Sequence, residues 1–228
     1  MIIKIPNTLK RILDILGLKS LLKSIYLKIL PYTPTQVSVE EWDSQYSLGR
    51  WDYLKQIGEL ARYSVIAGYC HFLKEGGKIL DLGCGEGILQ ERLCYTRYSR
   101  YVGVDISAEA SSKTFSRDRE KTLFVQADIS DYNPNGRFDI VIFNECLYYL
   151  KDPLGAVNRY ASFLEEGGLL IVSMSVTENN NHIWKMIEKS YDIMDEVLVV
   201  NKTARLSWVI KVFTNSSRNG WNLGDWNG

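Results

Sequence analysis

The chain has 228 residues, 46% hydrophobic and 24% charged, with 27 basic side chains against 27 acidic ones. That suits one globular domain with a terminal appendage and excludes a disordered, collagenous or highly charged chain. The balanced charge offers no electrostatic footprint for nucleic acid, so none is expected as a partner. The cysteines Cys70, Cys84, Cys94 and Cys146 form no C-x-x-C pair and meet no histidine cluster. No metal site is therefore expected, and scattered single cysteines fit a reducing, cytoplasmic setting.

Residues 1–34 form a basic amphipathic helical segment. Leu9, Ile12, Leu13 and Leu16 share one helical face, and Leu18, Leu21, Leu22, Ile25 and Ile29 share another after Gly17. Lys10, Arg11, Lys19, Lys23 and Lys28 stand against the single acid Asp14. Two readings stay open. One is peripheral contact with the inner face of a membrane. The other is helices that pack on the main domain or on a second subunit. Pro31 and Pro34 end the segment.

Residues 35–75 are expected to form a lid and a leading helix. Trp42, Tyr46, Arg50, Trp51 and Tyr53 are the lid candidates, unless these aromatics only pack a helix start. A helix is predicted from Tyr53 to Leu73, with Leu54, Ile57, Leu60, Ala61, Ile66 and Phe72 inward. Gly76-Gly77 closes it. His71 near its end reads as a capping or partly buried residue.

The core is expected over residues 76–214, and its centre is Lys78 to Leu89, K-I-L-D-L-G-C-G-E-G-I-L. An apolar strand carries Asp81 near its end and is followed by Gly83, Gly85 and Gly87, then by a helical apolar pattern. Glycine permits positive φ and close approach of a ligand to the backbone. The pyrophosphate-binding fingerprint is G-x-G-x-x-G, whereas the spacing here is G-x-G-x-G with an acid two residues ahead. That acid repels phosphate and attracts a cation. S-adenosylmethionine (SAM) has no phosphate and carries an ammonium and a sulfonium, so it fits better than a nicotinamide dinucleotide.

The stretch D-L-G-C-G-E-G resembles the first motif of the class I SAM-dependent methyltransferases, and the resemblance runs roughly from Gly76 to Phe213. It implies an α/β fold: a Rossmann-like, seven-stranded, mostly parallel sheet with helices on both faces and an antiparallel C-terminal strand. It also implies that Asp81, Gly83, Cys84, Gly85 and Gly87 hold the cofactor, with S-adenosylhomocysteine (SAH) as product.

The second strand, Arg100 to Asp105, ends in an acid placed to accept both ribose hydroxyls, and Ile106 beside it suits an adenine face. A helix is predicted from Ala108 to about Ser116. Thr122 to Gln126 is the third strand. After it the resemblance implies that Asp128 bonds the adenine amino group and the Ile129 N–H faces the ring nitrogen. The alternative for Asp128 is a loop carboxylate or a helix cap. Phe138 to Asn144 is the fourth strand, followed by E-C-L-Y-Y-L. This string resembles the fourth motif and, more narrowly, the branch of the nodulation N-methyltransferases, which methylate an amino sugar of a chitin-type oligosaccharide. Asn144 and Glu145 then fall near the transferring methyl. Glu145 is a candidate to orient an amine or hydroxyl or to take its proton, with Tyr148 and Tyr149 against the acceptor. The alternative is that Glu145 caps a helix and one tyrosine fills the core.

Asp152-Pro153 begins a helix predicted to reach Leu164 and to stop at Glu165-Glu166-Gly167-Gly168. Leu169 to Ser175 is the fifth strand and Val176 to Asn181 a polar loop. A helix is then predicted from His182, a second candidate base at the site rim, to about Met194. Val197–Asn201 and Leu206–Thr214 read as a closing hairpin. Residues 215–228 read as a polar tail carrying Trp221 and Trp226.

The expected function is methyl transfer from SAM to a nitrogen or oxygen of a small molecule or glycan, an acceptor that a lipid could carry. The alternative is a catalytically inactive subunit of the same fold that binds a partner. The intact acids Asp81, Asp105 and Asp128 favour the enzyme.

Overall fold

The computed structural model describes residues 32–93, 97–114 and 120–214. The basic segment up to residue 31 and the tail from 215, with Trp221 and Trp226, lie outside the described residues. Strands β1 (Gly76–Leu82), β2 (Tyr98–Asp105), β3 (Thr122–Gln126), β4 (Phe138–Asn144), β5 (Leu164–Ser175), β6 (Asp192–Asn201) and β7 (Leu206–Thr214) form one sheet. Its order is β3-β2-β1-β4-β5-β7-β6. Pairing is parallel from β3 through β5, and β7 runs antiparallel to both β5 and β6.

The helices are α1 (Val39–Ser47), α2 (Ile57–Leu73), α3 (Ile88–Arg92), α4 (Ala108–Ser112), α5 (Pro153–Ala161) and α6 (Glu178–Ile187), with 3-10 turns at Asp52–Lys55 and Leu147–Tyr149. Four starts carry a side-chain cap. Ser38, Ser107, Asp152 and Thr177 each accept a bond from the backbone N–H three residues on.

The central strands are apolar on both faces, as parallel strands covered by helices must be. Their side chains alternate between two cores. Leu80, Leu82, Val102, Val104, Val141 and Phe143 point into one. Ile79, Tyr101, Ile140 and Ile142 point into the other, against Tyr63, Ile66 and Cys70 of α2. Burying each such side chain is worth about 1.5–3 kcal/mol.

The face of α2 differs from the expected one. Ile57 and Phe72 are exposed, as is Ala61, while Glu59, Arg62, Tyr63, Ile66 and Cys70 are buried. Ile66 is buried and Leu54 packs on the core as expected, but a paired acid and base share this face, so apolar spacing alone misplaced Ile57, Ala61 and Phe72. The helix after Asp152 ends at Ala161, not Leu164. Leu164 pairs with Phe138 instead, with a register shift between Phe138 and Ile140, so the Glu165-Glu166-Gly167-Gly168 stop lies inside β5. The helix carrying His182 starts earlier, at the Thr177 cap, and ends at Ile187. Pairing with β7 draws Asp192 to Met194, expected in that helix, into β6. The helix from Ala108 ends at Ser112.

Candidate active site

The strand order reverses between β1 and β4, and ligands of open α/β sheets bind outside the carboxyl ends at such a point. There the registers Leu82↔Val104 and Leu82↔Phe143 bring three strand ends together. A cavity of about 1350 Å³ opens above them. That exceeds the roughly 300–1,000 Å³ of a typical one-ligand pocket and leaves room for a donor and an acceptor.

The glycine loop forms its floor. Gly83 and Gly85 have φ of 71° and 55°, a region side chains avoid. A Cβ on Gly85 would stand 2.8 Å from the Tyr46 hydroxyl, and one on Gly83 would stand 2.6 Å from the Cys146 Cβ. The Gly85 N–H donates to Asp105 Oδ2 over 2.8 Å, and the Ser107 N–H donates to Oδ1 over 2.9 Å. Burial raises the Asp105 pKa and these N–H bonds oppose it. Each oxygen keeps a lone-pair site, so Asp105 can hold the loop and still accept two ribose hydroxyls. Ile106, Asp128 and Ile129 continue the same wall. With G-x-G-x-G spacing in place of the pyrophosphate fingerprint and acids ending β2 and following β3, these residues fit SAM.

Opposite them stand Asn144 and Glu145. Glu145 has a φ of 59°, uncommon for a side-chain-bearing residue and a mark of stored strain at working sites. Its carboxylate accepts bonds from the Ser175 N–H (3.1 Å), the Tyr148 hydroxyl (3.1 Å) and the Ser173 hydroxyl (3.3 Å). Burial raises its pKa, while Arg62 and these donors oppose the rise. Burial and the neighbouring Glu145 charge push the Tyr148 hydroxyl far above its ordinary range, so it is a neutral donor.

The aromatic stretch ahead of the core lines the cavity. Trp42 meets Tyr149 edge-on at 4.9 Å and Trp51 at 5.5 Å. Tyr46, Trp51 and Tyr53 also line the space, whereas Arg50 is exposed and does not. Asp43 ties α1 to α4, accepting from the Ser107 hydroxyl (2.6 Å) and the Glu109 N–H (3.2 Å).

Of the residues expected at the site, Gly83, Cys84, Gly85, Asp105, Ile106, Asp128, Ile129, Asn144, Glu145 and Tyr148 line this cavity. Asp81, Gly87 and His182 are not among its lining residues. Asp81 shares a strand face with Ile79, so it points into the core under α2. There Tyr101 donates to its Oδ2 over 2.5 Å, while Oδ1 is buried with no partner. Burial pushes its pKa up to about 7. Gly87 backs against the Phe124 ring. His182 lies on α6 and lines a separate cavity with Trp184, Lys185 and Lys211. Sequence reasoning missed Glu59, Arg62 and Trp208, which do line the site. The signal was an acid and a base three apart on the face of Tyr63, Ile66 and Cys70.

The family model of a methyltransferase domain matches residues 51–193. The chain belongs to the SAM-dependent methyltransferases. Among curated relatives it is 32% identical over 111 residues to Rv0089 of Mycobacterium tuberculosis, an uncharacterized methyltransferase, covering 47% of this chain and 56% of that one. It is 30% identical over 149 residues to the tRNA U34 carboxymethyltransferase of Haemophilus influenzae, covering 62% of this chain and 46% of that one. The chain thus spans about half the length of the curated relatives it matches. Among solved structures, NodS N-methyltransferase of Bradyrhizobium japonicum WM9 with SAH superposes with a TM-score of 0.63. The two are 19% identical, and the match covers 77% of this chain and all of that one. Magnesium protoporphyrin IX methyltransferase of Synechocystis PCC 6803 with bound SAM gives a TM-score of 0.64 at 17% identity, covering 81% of this chain and all of that one. The fold and the donor class are those expected. The charge-based exclusion of nucleic acid lacks support, because relatives include enzymes named for tRNA. No helix among the described residues is long and apolar enough to cross a membrane.

Proposed function

We propose that this methyltransferase transfers the SAM methyl group to the nitrogen of an amine carried on a small molecule or glycan. The observation that supports nitrogen over oxygen is the identity of the base. Neither of the chain's two histidines lines the cavity. The group beside the end of β4 is a carboxylate, Glu145, held by three donors. A carboxylate favours the positive charge that develops on an amine nitrogen as it is alkylated, and it is too weak a base to ionise a sugar hydroxyl. An anionic oxygen nucleophile would be repelled by Glu145.

When bound, SAM supplies a methyl carbon attached to a good leaving group. The chain supplies position and dryness. Gly83, Cys84, Gly85, Asp105, Ile106, Asp128 and Ile129 would hold the donor, with Asn144 near its reacting end. Trp42, Trp51, Tyr53 and Tyr149 exclude water and offer ring faces to a sugar or a flat heterocycle. Tyr148 and Glu145 orient the amine, and Glu145 takes the proton the nitrogen releases. Holding both reactants in line accounts for up to about 7–11 kcal/mol of barrier in favourable cases.

Calorimetric titration of the full chain with SAM, SAH and NAD comes first. Micromolar binding of the first two and none of NAD is expected, and a folded sample that binds neither SAM nor SAH overturns the reading. Transfer of labelled methyl from SAM to glucosamine, glucose, simple aryl amines and tRNA then sorts the acceptors. Methylation confined to hydroxyl-only compounds removes nitrogen as the acceptor atom, and methylation of tRNA alone replaces the small-molecule reading.

A further inference from the structure

We infer that Arg62 is a positioning residue of this site, fixing the Asn144 amide and supplying the counter-charge that faces Glu145. The inference rests on the methyl-transfer reading of the cavity. Arg62 lies on α2, outside the glycine loop and the strand-end acids, with 1% of its side chain exposed. Its Nε and Nη2 donate to Glu59 Oε2 over 3.1 and 2.8 Å, and its Nη1 donates to Asn144 Oδ1. The guanidinium lies 4.3 Å from the Tyr63 ring centre and 5.7 Å from that of Trp208.

A buried ion pair adds little stability, because desolvation of the two charges offsets their attraction. What this pair adds is geometry. Arginine has only donors, whereas an asparagine amide has an acceptor end and a donor end. Contact with Arg62 therefore sets the Asn144 oxygen toward α2 and leaves its N–H2 for the cavity. The same contact ties α2 to the end of β4, where the chain turns into the strained Glu145. Around the Glu145 carboxylate stand Ser173 and Ser175 of β5, Tyr148, Tyr149 and Cys146 at the 3-10 turn after β4, Tyr53, and Arg62 with Glu59 behind it. Arg62 is the cation among them.

The test needs no acceptor. The full chain, labelled with carboxyl-13C glutamate and saturated with SAH, is titrated by NMR, and E145Q assigns the Glu145 signal. In the double variant Glu59→Leu/Arg62→Met, which removes both charges of the pair, the Glu145 midpoint is expected to shift upward. Arg62→Lys keeps a charge and loses the fork. There the Asn144 side-chain N–H2 signals are expected to move while the Glu145 midpoint stays close to wild type. A merely structural role predicts folded variants with both readouts unmoved, and that result overturns the inference. If the double variant does not fold, unmoved Asn144 signals in Arg62→Lys overturn it alone. Failure of wild type to bind SAH would sink the methyl-transfer reading instead, so the two failures are distinguishable.

Discussion

Asp105 joins two tasks in one carboxylate, because it fixes the Gly85 and Ser107 N–H groups and has lone pairs left for a ligand. Asp105→Ala is expected to weaken SAM binding by more than about tenfold, roughly 1.4 kcal/mol, in a calorimetric titration. Unchanged affinity would show that the ribose sits elsewhere. Asp81 behaves differently because strand alternation turns it into the core. Its pKa is raised to about 7 by burial, above an unfolded value of about 4. A carboxyl whose folded pKa is raised stabilises the fold fully below the unfolded pKa and loses that contribution as pH rises to the folded one. Asp81→Asn imitates the neutral form. The stability of the variant minus that of wild type should therefore climb between about pH 4 and 7 and level off above. A difference independent of pH in thermal unfolding would mean that Asp81 is ionised throughout. Arg62 and Glu59 mark the limit of reading residues singly. Charged side chains default to solvent in a sequence, and only a view of both partners shows that they pair inside the fold.

α1 and the aromatic turn after it line the cavity, and we propose that they govern access to it. This stretch carries Tyr46 onto the glycine loop and Trp42 onto Tyr149. Asp43 latches it to α4 through Ser107 and Glu109, and the Lys113 ammonium at the end of α4 donates to the Tyr46 carbonyl. The Ser107 bond, foremost among those to Asp43, keeps its carboxyl below the usual carboxylate range. Asp43→Ala should leave the core intact and speed SAH release several-fold in stopped-flow tryptophan fluorescence, since α1 would open more often. An unchanged release rate would assign the gate to another segment. The aromatic residues of 42–53 expected near the ligand do line the cavity, but the latch was not legible, because it depends on where a serine 64 residues away is placed.

Across the whole molecule, the strap from Tyr32 to Ser38 crosses the cavity rim. The Tyr32 hydroxyl donates to Leu150 O over 2.8 Å, and the Thr35 N–H donates to Tyr148 O over 2.9 Å. Residues 1–31 precede this strap and are basic and amphipathic in sequence. If they bind anionic membranes, the full chain should float with anionic liposomes and a chain beginning at Tyr32 should not. Equal flotation would sink a membrane role. By itself, the sequence determined the sheet, the glycine loop and the strand-end acids. Apolar runs, glycine spacing and caps act within a few residues, and a parallel strand must end where its ligand sits. Only the tertiary structure decided which of those acids reach the cavity, which face of α2 is buried, and that His182 lies apart from the site. Those outcomes depend on strand register and on partners distant in the chain. A local pattern is silent about which face of an element its neighbours will cover.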